Sequence, residues 1–239
     1  MVGRRKRGLT RAVRTTKVRR TFGADRDSMP KTTRAPARAW QRMLSGRRLD
    51  LLDPSPLDVE IEDIAHGLAR VARWNGQTVG PHAFSVAQHA LTVDAVCQKI
   101  APGLGPAERL AVLLHDAPEY VIGDMISPFK AVIGEDYKAV EARLLAAIHQ
   151  RFGLPAVLPE KLARLIKSAD RVAAFHEATQ LAGFRTAEAV REFGRPAVGA
   201  ADLPLRPWPT ATAEHRFLAR FNALSRQMAA RGGPAIGRN

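Results

Sequence analysis

The sequence predicts an all-α fold. Downstream of Gly46, apolar residues recur at the i, i+3, i+4, i+7 spacing of a buried helix face in one segment after another. No run alternates apolar and polar residues over a length that predicts a convincing β-strand, and no repeat recurs at a fixed period. With 239 residues, 46% of them hydrophobic, the chain has enough apolar material for one good core or two small ones.

Helix boundaries follow from proline, glycine and capping residues. Asp58 is the predicted cap of the first helix, and a turn rich in glycine and proline at 75–81 separates that helix from the next. Pro106 suits the first position of the third helix. The predicted helices cover about Ile61–Ala72, Ser85–Val96, Ala107–Ala117, Tyr137–Phe152, Pro159–Leu181 and Thr212–Ala230.

The formal net charge of +14 is concentrated in the N-terminal tail, residues 1–40. This tail holds 13 basic and 2 acidic residues, whereas the rest of the chain holds 24 and 21. The tail has almost nothing to bury, so we expect it to be disordered. Three interpretations stay open: an arm that binds nucleic acid or other polyanions non-specifically, an organellar transit peptide, or a start placed too early, with initiation near Met29 or Met43.

We expect one folded domain over residues 41–239, with a core at about 47–181 and a helical extension after 183. The lone cysteine, Cys97, excludes an intramolecular disulfide and a thiolate zinc cage, which favours a reducing compartment, the cytoplasm. No stretch approaches the ~20 apolar residues of a membrane-spanning helix, and no apolar segment follows the basic cluster at residues 4–7 as in a secretory signal. A soluble protein without a membrane partner is therefore expected.

Four polar residues occupy positions at which a helix would be buried. Asp170 lies on the apolar face of its own helix, His115–Asp116 follows a buried apolar run, and His89 lies in the first turns of the second helix. Singly, each has an ordinary explanation, such as a core Asp paired with an Arg or a hydrogen-bonded core His. Together, two imidazoles and two carboxylates form a set suited to Mn, Co, Fe, Ni or Zn.

The order His89, His115–Asp116, Asp170 resembles the H…HD…D signature of HD-domain metal-dependent phosphohydrolases. The longer string from His115 to Asp124, followed by Ser127-Pro128-Phe129-Lys130, resembles the branch that contains bacterial 5′-deoxynucleotidases. The resemblance extends over about 47–181 and implies an HD-domain helical bundle.

The same branch has an Arg-Trp pair upstream of the first ligand His, and Arg73–Trp74 begins sixteen residues before His89. That spacing is one residue longer than in the family. Gln88 stands where the branch often has Glu, and the loop at 75–84 also differs. These departures concern substrate choice more than metal binding.

The resemblance implies one divalent transition-metal ion bound by His89, His115, Asp116 and Asp170, with Co, Mn, Zn, Fe and Ni as candidates. Glu119, one helical turn past His115, is the candidate proton-handling group, and Asp124 would orient the attacking water or contact a sugar hydroxyl. Alternatively, Glu119 would be a solvated carboxylate at the end of a helix, and Asp124 would be a simple turn residue.

By resemblance, Arg73 and Trp74 would clamp the 5′-phosphate and crowd the 2′ position of the sugar. Without the family, Trp74 would be a core anchor and Arg73 a surface charge. Lys130 would add positive potential near the phosphate. The resemblance also implies a homodimer.

These features predict an enzyme that hydrolyses deoxynucleoside 5′-monophosphates to deoxynucleoside and phosphate, with a nucleotide as its small-molecule partner. One alternative is a deoxynucleoside triphosphate triphosphohydrolase of the same fold. Another is a catalytically silent nucleotide-binding regulatory protein. Nucleic acid would be contacted non-specifically, through the basic tail alone.

Overall fold

The structure of the protein is a computed structural model that describes residues 39–125, 135–196 and 203–232. Most of these residues are helical, which confirms the predicted all-α fold class. Residues 1–38 of the predicted tail lie outside the described residues, as does Lys130.

One small β-hairpin, β1 and β2, at Trp40–Arg42 and Arg48–Asp50, precedes the described helices. Two 3₁₀ turns occupy Pro56–Asp58 and Arg73–Gly76. The helices are α1 Ile61–Leu68, α2 Val86–Ile100, α3 Pro106–Leu113, α4 Glu119–Ile122, α5 Glu135–Arg151, α6 Glu160–Gln180, α7 Thr186–Phe193 and α8 Thr210–Ala230.

Helix α2 is the central element of the bundle. Ten of its 15 residues are buried, because α3, α6 and α8 all pack against it. Ser85 begins the helix as predicted, with its side chain accepting a hydrogen bond from the Gln88 N–H. A helix buried on nearly every face is held in a fixed position, so it can place His89 accurately.

A buried carboxylate joins α2 to its neighbours. Asp94 is 2% exposed and accepts hydrogen bonds from Arg109 on α3 and from Arg220 on α8. Helix α8 also buries two aromatic side chains, Phe217 and Phe221, in the hydrophobic core. The stripe predicted for this last helix is thus a core face, and the helix begins at residue 210, two residues earlier than predicted.

Several boundaries differ from prediction. The hairpin was not expected, because three-residue strands are too short to show alternation. Asp58 does not cap α1: it ends a 3₁₀ turn capped by Ser55, and α1 begins at residue 61 without a side-chain cap. Helix α7 was not predicted as an element of its own.

Within the described ranges, none of the helices has both the length and the apolarity needed to cross a bilayer.

Candidate active site

Six of the predicted site residues line one cavity of about 990 Å³, a size typical of small-molecule sites. They are Arg73, Trp74, Asp116, Glu119, Asp124 and Asp170. The two predicted metal-binding histidines lie against the carboxylates of this set. The tertiary fold therefore gathers residues from four separate stretches of the chain around a common space.

The four predicted metal ligands converge in the structure. His89 Nε2 lies 3.3 Å from Asp116 Oδ2 and 3.3 Å from Asp170 Oδ1, and His115 Nε2 lies 3.2 Å from Asp116 Oδ2. Ligand atoms of His89, His115 and Asp170 all lie within 4.8 Å of one another. Atoms held at the usual ligand distances of about 2.0–2.2 Å from one ion are about 3.0–3.4 Å apart, so the observed spacing suits a shared cation.

The donor atoms themselves also fit a cation. Within the described part of the chain, the buried Nε2 atoms of His89 and His115 make no hydrogen bond of good geometry, although carboxylate oxygens lie 3.2–3.3 Å from them. A buried polar atom left without a partner costs about 1–3 kcal/mol, and a metal bond removes that cost. Burial raises the pKa of Asp116, but His115 and His89 outweigh it and hold this pKa well below its usual range. Asp116 is therefore ionised, which is the form in which a carboxylate binds a cation.

Both imidazoles are oriented by a partner on the far side of the ring. His115 Nδ1 donates to the Val112 carbonyl at 2.9 Å, and His89 Nδ1 donates to the Glu177 carboxylate at 2.6 Å. Because both partners accept only, Nδ1 of each ring carries a proton, and in the neutral form that binds a metal the lone pair of Nε2 would face the cluster.

His115 and Asp116 reach the cluster because α3 ends before them. The prediction that this helix continues to about Ala117 is wrong, because it ends at Leu113. Backbone hydrogen bonds of the i→i−3 type follow, including one from the Glu119 N–H to the Asp116 carbonyl at 3.0 Å. Neighbouring residues in a regular helix point about 100° apart. The tightened chain brings both side chains to the same place, and Pro118 disfavours helix in the residue before it.

Glu119 and Asp124 lie at opposite ends of the short helix α4. Glu119 is its first residue, 2% exposed, and lines the cavity. Asp124 follows Gly123, whose φ of 76° lies in the region that favours glycine and turns the chain back toward the cavity. The Asp124 side chain is 7% exposed and accepts a hydrogen bond from Arg73 Nη1 at 3.4 Å.

Arg73 and Trp74 lie in a strained turn. Trp74 and Asn75 have φ values of 58° and 50°, which are uncommon for residues other than glycine and cost roughly 1–2 kcal/mol per residue. The turn is tied to the start of α2, since the Arg73 N–H donates to the Phe84 carbonyl at 2.8 Å. Strain retained at a cavity wall is typical of functional residues.

Glu177, on α6, was missed by the sequence analysis. Its side chain is completely buried, and Oε2 accepts hydrogen bonds from Trp74 Nε1 at 2.9 Å and Arg73 Nε at 3.3 Å. Burial raises its pKa, but the charges of His89 and Arg73 outweigh burial and lower it to about 2. The available signal was a carboxylate seven residues after Asp170, two helical turns along the same buried stripe.

An aromatic wall that was not predicted completes the cavity. Phe184 and Phe193 pack edge-on against Trp74, with ring centroids 5.6 Å and 5.9 Å from the indole. Both phenylalanines line the cavity. Lys130, the remaining predicted substrate-binding residue, lies outside the described residues.

The chain is similar in sequence to known proteins. Over 194 residues, 80% of this chain and 98% of the relative, the sequence is 59% identical to the uncharacterized protein RCAP_rcc00048 of Rhodobacter capsulatus. YfdR of Escherichia coli K12 is 37% identical over 111 residues, which cover 46% of this chain and 57% of YfdR. The sequence model of the YfbR-like 5′-deoxynucleotidases matches residues 65–188, a segment that contains all of the site residues predicted from the sequence. This chain therefore belongs to the YfbR-like 5′-deoxynucleotidase family of HD-domain hydrolases.

Proposed function

We propose that this protein hydrolyses deoxynucleoside 5′-monophosphates to deoxynucleoside and inorganic phosphate. The observation that carries the proposal is the convergence of His89 and His115 on Asp116 and Asp170, two carboxylates that line the same cavity as Arg73. Membership of the YfbR-like family supports the same reaction.

The four ligands would hold one divalent transition-metal ion. When bound, such an ion supplies Lewis-acid chemistry: it activates water and stabilises negative charge on a phosphoryl group. The buried Nε2 atoms and the ionised Asp116 carboxylate are donors that would bind this ion. Phosphate monoesters hydrolyse extremely slowly without a catalyst, so a site of this kind has to contribute strong electrostatic stabilisation.

Arg73 would bind the phosphate. Burial lowers its pKa, but the carboxylates of Glu177 and Asp124 raise it above the ordinary arginine value, so the guanidinium is charged. Its Nε bonds Glu177 and one Nη bonds Asp124, which fixes the plane of the fork beside the cavity. A guanidinium held through two of its nitrogens keeps its remaining N–H groups pointing in one direction.

Glu119 would handle the proton. The reaction forms a bond from a water oxygen to phosphorus as the bond from phosphorus to O5′ breaks, and O5′ must gain a proton as it leaves. Glu119 is buried at the cavity wall, where a carboxyl group can take the proton from water and return it to O5′. Asp124, bonded to Arg73, would keep the phosphate-binding side of the site in place.

Trp74 would select deoxyribose. Its indole is held by Glu177 on one side and by two phenylalanine rings on the others, so it cannot swing away from a 2′-hydroxyl. A rigid ring discriminates by exclusion, since the larger sugar has no space to occupy.

A deoxynucleoside triphosphate hydrolase is the alternative that one observation favours. Lys167 and Arg171 also line the cavity and would suit additional phosphates. Measurement of the products decides between the two enzymes.

The test is a phosphate-release screen of the full chain with dAMP, AMP, dADP and dATP in Mn²⁺, Co²⁺, Zn²⁺ and Mg²⁺. We expect orthophosphate from dAMP and much less from AMP. Glu119→Gln, purified in parallel, controls for contaminating phosphatases and should release none. Tripolyphosphate from dATP without turnover of dAMP would refute the monophosphatase, and nucleotide binding without any release would indicate a regulatory protein.

A further inference from the structure

One buried carboxylate touches both halves of the proposed site. Glu177 Oε1 accepts from His89 Nδ1 at 2.6 Å, while Oε2 accepts from Trp74 Nε1 at 2.9 Å and Arg73 Nε at 3.3 Å. No part of this side chain is exposed to solvent. Each oxygen thus serves a different group: Oε1 a metal-binding imidazole, and Oε2 the turn proposed to clamp the substrate.

The contact with His89 sets which ring nitrogen can bind a metal. A carboxylate accepts only, so the Nδ1 proton is fixed on the side of Glu177, and Nε2, which faces Asp116 and Asp170, is the nitrogen left to bind a metal. Hydrogen bonding to the far nitrogen also raises the basicity of a ligand imidazole.

The contact with the turn holds a strained conformation. Trp74 and Asn75 both have positive φ, and such conformations persist only where the surroundings enforce them. Two N–H groups of the turn converge on one oxygen of Glu177, in addition to the backbone hydrogen bond from Arg73 to Phe84. The carboxylate therefore contributes to the position of both Arg73 and Trp74.

We propose that Glu177 is a positioning residue that joins the metal-binding face of His89 to the Arg73–Trp74 clamp, so that metal binding and sugar selection share one anchor. The part that concerns the clamp rests on the proposed function; the part that concerns His89 does not. Because Glu177 contacts both groups, we expect a change at Glu177 to affect both.

The substitution Glu177→Gln distinguishes this role because an amide cannot serve all three donors. Its oxygen can face Trp74 and Arg73, which leaves the NH₂ group against His89. The imidazole must then accept at Nδ1 and carry its proton on Nε2, where the proton occupies the metal-binding lone pair. Glu177→Asp keeps the charge and both acceptor oxygens but is one methylene shorter.

Asp94→Asn is the matched control. Asp94 is likewise a buried carboxylate held by arginines, but it lies on α2 away from the cavity lining. The variants are compared in the full chain after removal of metal with a chelator. Circular dichroism reports folding, and calorimetry measures the affinity for Mn²⁺ alone.

We expect Glu177→Gln to weaken Mn²⁺ binding by ~10–100-fold, Glu177→Asp to weaken it less, and Asp94→Asn to stay within about twofold of the wild type. Equal Mn²⁺ affinity of Glu177→Gln and the wild type would overturn the proposal, as would an equal loss in Asp94→Asn. If Glu177→Gln does not fold, Glu177→Asp decides in the same way: wild-type affinity overturns the proposal.

The clamp is tested at saturating Mn²⁺ with dAMP and AMP. Both Glu177 variants should reduce the ratio of kcat/KM for dAMP to that for AMP, and an unchanged ratio would overturn the role in sugar selection. If the wild type turns over neither nucleotide, the proposed function fails, while the Mn²⁺ affinities still test the role toward His89.

Discussion

Gly67 is the residue whose substitution tests most directly how tightly the fold positions Glu119. It lies in α1 against α4, where a methyl group on Gly67 would come within 2.8 Å of both Cβ and the backbone oxygen of Tyr120. Tyr120 directly follows Glu119. Ordinary contacts of a Cβ atom begin at 3.4 Å, so α4 would have to retreat by several tenths of an ångström.

The sign of the effect of Gly67→Ala follows from two opposing magnitudes. Alanine gains about 1 kcal/mol over glycine inside a helix. Overpacking against a backbone that cannot rotate away costs about 1–3 kcal/mol, and the 2.8 Å contact belongs at the severe end of that range. We expect a net loss of about 1–2 kcal/mol in the free energy of unfolding, measured by urea denaturation.

The same variant should impair turnover more than metal binding. Displacing α4 moves Glu119, which lies in that helix, whereas His89 and Asp170 lie on α2 and α6, and His115 and Asp116 precede α4. A misplacement of about 1 Å can lower a rate by ~100-fold, so we expect a loss of roughly ten- to a hundredfold in kcat with a smaller effect on Mn²⁺ affinity.

The matched control is Gly103→Ala, since a methyl group there meets nothing within 4 Å. It should leave both stability and kcat close to those of the wild type. A Gly67→Ala variant at least as stable and as active as the wild type would refute the packing argument.

Three further predictions concern single side chains. Glu119→Gln should keep its metal by elemental analysis and lose turnover by at least ~100-fold, whereas His115→Ala should lose the metal. Burial raises the pKa of Glu60, but hydrogen bonds from Arg47 and Arg151 outweigh burial and lower this pKa below 4.5. Glu60→Gln should therefore lower the free energy of unfolding by about 1 kcal/mol at pH 7. Burial raises the pKa of the Cys97 thiol to about 12, so the native protein should resist a thiol reagent at pH 8 and react once unfolded in guanidinium.

The pH dependence of the Glu60 effect has a definite sign. Because the folded-state pKa lies below the unfolded value, the ionised carboxylate stabilises the fold above pH 4.5 and loses this contribution as the pH falls through the folded-state pKa. Urea melts at pH 7 and at successively lower pH should show the difference from Glu60→Gln shrink as the pH falls below 4.5. A difference that does not shrink, metal lost from Glu119→Gln, or a fast native reaction of Cys97 would each contradict its prediction.

The helical class could be predicted because its physical cause is local. Residues three and four apart share a face, so the stripes of α2, α6 and α8 can be identified from spacing alone. The same spacing failed at the end of α3, where the apolar run of Leu113 and Leu114 continues although the helix stops. The hairpin and the eight-residue α7 were too short for periodicity to distinguish them from turns.

By itself, the sequence determined the all-α class and identified His89, His115, Asp116 and Asp170 as one set, because buried polar residues contradict the apolar pattern around them. Only the tertiary structure decided that Glu177 joins His89 to Arg73 and Trp74, and that Phe184 and Phe193 wall the cavity. These contacts link segments about a hundred residues apart in the chain, and local spacing carries no information on which distant side chains the packed helices bring within a hydrogen bond.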